Sequence, residues 1–81
     1  MFMDLNIIAP HKIIYQGKIF SITLPGTEGE LTILPNHIPL ITSLDKGRIK
    51  VRDKDKKELF FEIENGVLEV NPVEVNVLVS V

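Results

Sequence analysis

Apolar and polar residues along the chain alternate in short runs, each closed by turn formers. Leu5, Ile7 and Ala9 alternate with Asn6 and Ile8 until Pro10 interrupts. Residues 12–16 form a second run, broken by Gly17. In the next run Phe20, Ile22 and Leu24 fall on one face and Ser21 and Thr23 on the other, the period-two pattern of a strand. Pro25-Gly26-Thr27-Glu28-Gly29 is a dense turn signal, since proline presets φ and glycine admits positive φ. Residues 30–34 then read as a strand, closed by Pro35-Asn36-His37, and residues 38–44 as an irregular or edge stretch because of Pro39.

Asp45-Lys46-Gly47 turns the chain again. Ile49 and Val51 alternate with Arg48, Lys50 and Arg52, a strand with one wet face, and residues 53–58 read as a hairpin tip. Residues 59–64 return, Asn65-Gly66 marks a turn, and residues 67–70 continue. After Asn71-Pro72 comes the cleanest alternation, Val73, Val75, Val77 and Val79 opposed by Glu74, Asn76, Leu78 and Ser80. About eight to ten short strands separated by turns predict an all-β, compact antiparallel sandwich or barrel. With 81 residues and no linker or repeat, residues 1–81 form a single domain.

Composition supports the strands. Eleven Ile and eight Val stand beside a single Ala, Ala9, and branching at Cβ suits a pleated surface better than a helix. The net charge of −2 and five scattered aromatics give neither the basic surface nor the stacking platform of a nucleic-acid domain. There is no cysteine, so no disulfide, thiolate metal site or thiol nucleophile is available. No apolar run approaches the roughly 18 residues of a membrane span, and the first ten residues carry Asp4 and no base, unlike a signal or transit peptide. A cytosolic protein, or one made inside an organelle, is the expectation.

Catalytic candidates are few. His11 and His37 lack a carboxylate at helical metal spacing, and no metal or cofactor is expected. His37 in its proline-flanked turn reads as a side chain hydrogen-bonding local backbone. Glu28 and Glu30, two apart, project to one face of an extended chain, but an exposed glycine-rich loop does not provide the desolvated cleft that acid–base work needs. Gly26-Thr27-Glu28-Gly29 lacks the ending of a phosphate loop. Seven basic residues between Lys46 and Lys57 are diluted by Asp45, Asp53, Asp55 and Glu58, and read as a solvated strand and hairpin tip. The chain is therefore expected to be no enzyme, its function lying in a surface that meets other proteins.

The central segment resembles a known signature. Residues 26–40, GTEGELTILPNHIPL, are similar to the pattern G-x-E-G-E-[LF]-G-[IV]-[LY]-P-G-H-x-P-L of the epsilon subunit of F-type ATP synthases. Leu44-Asp45-Lys46-Gly47-Arg48-Ile49 resembles the family's L-x-x-G-x-[IV] segment, and Gly66-Val67-Leu68-Glu69-Val70 with Val75-Asn76-Val77-Leu78 resembles its ending. Thr32 and Asn36 stand where the pattern has glycine, and Asn65 replaces the first glycine of a common pair. Asparagine tolerates positive φ, so Asn36 and Asn65 keep that backbone option open, and Thr32 does not.

The resemblance implies a sandwich of about ten strands docked on the gamma subunit and on the ring of c subunits, coupling ring rotation to gamma for proton-driven ATP synthesis. Thr27, Glu28, Gly29 and Glu30 match the c-ring contact. Ala9, His37, Ile38, Pro39 and Leu40 match the gamma-facing region. The family's C-terminal helical hairpin, which can bind ATP and inhibit hydrolysis, has no counterpart in these residues, so coupling without hairpin-based inhibition and without ATP binding is expected. The location implied is the cytoplasmic face of a bacterial inner membrane, as a peripheral part of the synthase, with a plastid thylakoid as second choice. The rival reading is a small β-barrel adaptor unrelated to ATP synthase. A lipoyl-type carrier is disfavoured because Lys54 and Lys56 lack its motif.

Overall fold

A computed structural model describes all residues, Met1–Val81, and contains eight strands and no helix, hence none long and apolar enough to cross a membrane. The strands are β1 (Met3–Ala9), β2 (Lys12–Gly26), β3 (Gly29–Ile33), β4 (Leu40–Leu44), β5 (Gly47–Asp53), β6 (Glu58–Ile63), β7 (Asn65–Val70) and β8 (Glu74–Ser80). The alternation read from the sequence holds in most of them. Leu5, Ile7, Ile49, Val51, Val75 and Val77 are fully buried, and one apolar cluster draws residues from all eight strands. No polar or charged residue is buried.

The nine runs read from the sequence become eight strands because residues 12–26 are one strand rather than two. Fifteen extended residues would span roughly 50 Å, yet the longest dimension of the molecule is 30 Å, so β2 has to bend. It does so at a bulge, where Ile19 pairs with Asp53 and Ser21 with Arg52, leaving Phe20 extra. The extra residue inverts the facing of the residues before it, as far as a second bulge at Ile14. Ile19 and Ile22 both point inward, and Phe20, expected inside beside Ile22 and Leu24, is turned out to 42% exposure.

The bend lets β2 serve two layers. Its first half pairs with β1 (Met3 to Ile19, Ala9 to Lys12), and its second half lies between β3 and β5. One layer thus runs β3-β2-β5-β6, and the other β2-β1-β8-β7-β4. A single pairing, Gly26 with Leu44, joins β2 to β4 and closes the ring. Tyr15 on the second layer meets Phe61 on the first, ring centroids 5.7 Å apart. All pairings are antiparallel except β1 with β8, which run parallel from Asp4–Glu74 to Ile8–Leu78. Nearly the whole chain lies between those partners, which is why local turn chemistry did not reveal the parallel pair.

Turns follow their residues except at Gly17, which lies inside β2, and at Asn65-Gly66. Asn36 takes φ 67°, as its asparagine allows, whereas Asn65 begins β7 with no positive φ. Gly66, expected in a turn, lies inside β7, where a Cβ would come within 2.6 Å of the Leu78 carbonyl oxygen. Thr32 sits in β3 opposite Thr23, their hydroxyls 3.1 Å apart.

The basic strand β5 is wet, as its pattern requires. Arg48 lies over the Phe60 ring at 4.6 Å, and Glu58 receives Arg52 at 2.7 Å and Lys50 at 3.9 Å. The hydrogen bond from Arg52, aided by the Lys50 charge, holds the Glu58 carboxyl below its ordinary value of 4.5. A depressed carboxylate contributes stability that is present above pH 4.5 and lost as the pH falls through the folded-state value. The difference in urea midpoint between wild type and Glu58→Gln is accordingly expected to shrink from pH 6 to pH 3. A constant difference would assign the effect of the substitution to something other than this carboxylate.

Candidate docking surfaces

Two exposed features stand on different parts of the sandwich. The first is the turn from β2 into β3. Gly26 pairs with Gly29 across the two-residue loop Thr27-Glu28, and a Cβ on Gly26 would come 2.7 Å from the Gly29 carbonyl oxygen. Gly29 itself has φ 127°, a conformation side chains rarely adopt. The turn is anchored from outside: the Thr27 amide donates to the Ser43 carbonyl at 3.1 Å and the Asp45 amide to the Pro25 carbonyl at 2.8 Å.

Thr27, Glu28, Gly29 and Glu30 are all exposed, and neither glutamate has an ion-pair partner within the chain. Glu28 lies in the turn and Glu30 on β3, so they do not share one strand face as the spacing predicted. The anchoring also ties the backbone of Asp45, a third exposed acid, to Pro25 at the base of the turn, a link the sequence did not reveal. The result is an exposed, backbone-held acidic edge that suits a basic partner.

The second feature is the outer face of the β2-β1-β8-β7-β4 layer. Across it, Ile13, Ile8, Leu78 and Val67 stand in one register row. Leu78 is 54% and Ile13 59% exposed. Beside the row lies a groove of about 400 Å³ lined by Ile8, Pro10, Gly66, Val67, Leu78 and Ser80. The next row is polar. Gln16 Nε2 donates to Asn6 Oδ1 at 2.8 Å, Asn6 Nδ2 to Asn76 Oδ1 at 2.9 Å, and Asn76 Nδ2 to Glu69 Oε1 at 3.2 Å. The opposite layer's outer face carries Ser21, Thr23, Thr32, Lys50, Arg52, Glu58 and Glu62 and is hydrophilic, Phe60 and the bulged Phe20 excepted.

The residues matched to gamma do not lie together. Leu40 shares a row with Val70, Val75 and Leu5, whereas Ala9 is four residues further along β1. Four residues of rise and three strand spacings separate them by roughly 20 Å. Ala9 is only 6% exposed, so Ile8, Leu78 and Val67 present the surface next to it. Ile38 (84% exposed), Pro39, Leu40 and Ile41 (72% exposed) form an exposed apolar run at the other corner of the layer, with Leu40 on the side of Val70 and Ile41 on the outer side with Glu69. The apolar row at the Ala9 corner escaped the sequence reading, because the alternation only groups Leu78 with Glu74, Asn76 and Ser80 and assigns Val67 no face. His37 follows Asn36 in the loop; its Nδ1 is buried without a hydrogen-bond partner, so the local backbone bond expected of it is not made at that atom. No three His, Asp or Glu side chains converge as a metal site requires.

Residues 2–81 match the family described as ATP synthase, Delta/Epsilon chain, beta-sandwich domain. The chain belongs to that family. Among the family's curated members it is 38% identical over 76 residues to the ATP synthase epsilon chain of Leptospira borgpetersenii serovar Hardjo-bovis, and 34% identical over 76 residues to that of Alkalilimnicola ehrlichii. The alignments cover 94% of this chain and 59% and 54% of those relatives, so the chain spans a little over half their length. The family fold recurs in a chain of the Euglena gracilis mitochondrial ATP synthase (OSCP/F1/c-ring, rotational state 1), with TM-score 0.91 at 24% identity, covering 96% of this chain and 50% of that one. It recurs in the Tetrahymena thermophila mitochondrial ATP synthase central stalk and c-ring, with TM-score 0.82 at 20% identity, covering 98% and 63%.

Proposed function

We propose that this domain is a non-catalytic rotor subunit of a membrane-associated rotary ATP synthase, linking the c-ring to the gamma subunit. The observation that carries the reading is the presence of two chemically unlike surfaces on one small sandwich, which meet only at Ser43, the acceptor of the Thr27 amide and the register partner of Val67. An acidic turn stands at one site and an apolar sheet face at another, so two chemically different partners can be held at once. Family membership and the central-stalk and c-ring assemblies in which the fold recurs support the same role.

Thr27, Glu28, Gly29 and Glu30, with Asp45, meet the polar loops of the c-ring. Ala9, His37, Ile38, Pro39 and Leu40 mark two corners of the gamma-facing layer, with Ile8, Leu78 and Val67 in the row beside Ala9. The domain performs no chemical step and takes no cofactor; it transmits torque, and its stiffness comes from the closed ring of strands. The complex sits at the cytoplasmic face of a bacterial inner membrane.

Glu30→Lys tests the c-ring contact. Glu30 is exposed and unpaired, so the reversal should leave the unfolding midpoint within about 0.5 kcal/mol of wild type, while proton-driven ATP synthesis by the assembled enzyme falls several-fold. Equal loss of folding and coupling would make Glu30 a structural residue. Failure of the domain to co-elute with a gamma subunit would refute the rotor reading itself.

A further inference from the structure

Two local departures from ordinary strand and turn chemistry, together with the start of the chain, converge on one groove apart from the acidic turn and the apolar row. The β2 bulge turns Phe20 outward. The start of the chain lays Phe2, 48% exposed, along the same groove. In the β5–β6 hairpin Lys56 holds φ 68°, a left-handed conformation that glycine or asparagine adopts at lower cost. Together with Arg52, Asp53 and Lys54, these residues line a space of about 330 Å³.

The charges within it are not cancelled. Arg52 is engaged by Glu58 at 2.7 Å. Asp53 Oδ1 accepts the amides of Asp55 at 2.8 Å and Lys57 at 3.0 Å, which makes it a structural pin of the hairpin. Lys54 and Lys56 have no acidic partner in the chain. The groove therefore offers two half-exposed phenyl rings and two free ammonium groups on a braced hairpin.

We propose that this groove binds an acidic segment of a partner protein, with one large apolar side chain held between Phe2 and Phe20 and carboxylates on Lys54 and Lys56. An anionic bilayer fits less well. Two free lysines would supply only about 1 kcal/mol each at a membrane surface, and the chain as a whole is negatively charged at −2. The apolar floor and short basic rim match a side-chain anchor flanked by acids. The groove lies six residues of β5 away from the Gly47 end that borders the acidic turn, and it meets the loop before His37 through Met1, whose Sδ accepts the Asn36 side-chain amide at 2.9 Å.

The test is an NMR titration of the 81-residue chain with a short acetylated acidic peptide carrying a central Trp. A control peptide has lysine in place of each acid. Saturable shifts are expected at Phe2, Phe20, Lys54 and Lys56, absent with the control and weakened about tenfold by raising salt to screen the pairs. Lys54→Glu combined with Phe20→Ser should weaken binding at least about tenfold. Lys56→Asn keeps the left-handed backbone with a tolerant residue, so it should unfold no earlier than wild type yet bind less well. No saturable shift at these residues, equal binding of the control peptide, or tighter binding of phosphatidylserine vesicles or ATP at the groove would each overturn the proposal.

Discussion

Leu78→Glu is expected to lower affinity for a gamma subunit about a hundredfold or more, the loss of roughly 3 kcal/mol typical of a central apolar contact replaced by a charge. Leu78 stands in the middle of the apolar row, flanked in register by Val67 and Ile8 and bordered by the groove of about 400 Å³. Docking a partner there would bury the side chain, and a glutamate would be desolvated without a cation in the row to receive it. In the isolated domain Leu78 is 54% exposed, so the same substitution should change folding stability by no more than about 0.5 kcal/mol. Affinity measured by calorimetry against purified gamma, alongside urea unfolding of the free domain, checks both halves. Unchanged affinity with intact folding would move the gamma contact off this face, most directly to the exposed run of Ile38, Pro39, Leu40 and Ile41.

The largest effect on folding is expected at Ile7. It is fully buried, pairs with Tyr15 on β2 and Val77 on β8, and so sits where the antiparallel and the parallel ladders meet. Ile7→Ala should cost about 2–5 kcal/mol through lost transfer energy and a residual cavity. A domain of this size holds only roughly 4–12 kcal/mol in total, and there is no disulfide to compensate. The urea midpoint should drop by about 2 M or more with little change in slope, whereas Ile7→Val should cost only about 0.5–1.5 kcal/mol. A drop for Ile7→Ala no larger than that of Ile7→Val would mean that the ladders repack around the missing methyl groups.

Both predictions rest on faces, and faces were legible only where the strand period ran unbroken. In β1, β5 and β8 the alternation assigned Leu5, Ile7, Ile49, Val51, Val75 and Val77 to the interior, where they are. In β2 the same rule failed at Phe20, because one inserted residue opposite Asp53 shifts the facing and leaves no local mark in the sequence. Val73 failed for another reason: it precedes β8, and at 72% exposure it belongs to the turn after Asn71.

The candidate site divides along the same line. The turn built on Gly26 and Gly29 could be read from composition, since a close carbonyl approach and a φ of 127° both call for glycine. The docking row could not, because Ile13, Ile8, Leu78 and Val67 come from four strands and meet only through register.

The sequence by itself determined the all-β character, the inward faces of the regular strands, the acidic turn and the poverty of catalytic groups, all of which depend on neighbours in the chain. Tertiary structure alone decided that β1 and β8 pair in parallel, that β2 bends to serve both layers, that Phe20 faces outward, that Leu78 joins Ile13, Ile8 and Val67 in one row, and that Ala9 lies far from Leu40. Pairing between distant strands is settled by which arrangement buries the most apolar surface without orphaning backbone groups. That competition among whole folds is written in no single stretch of residues.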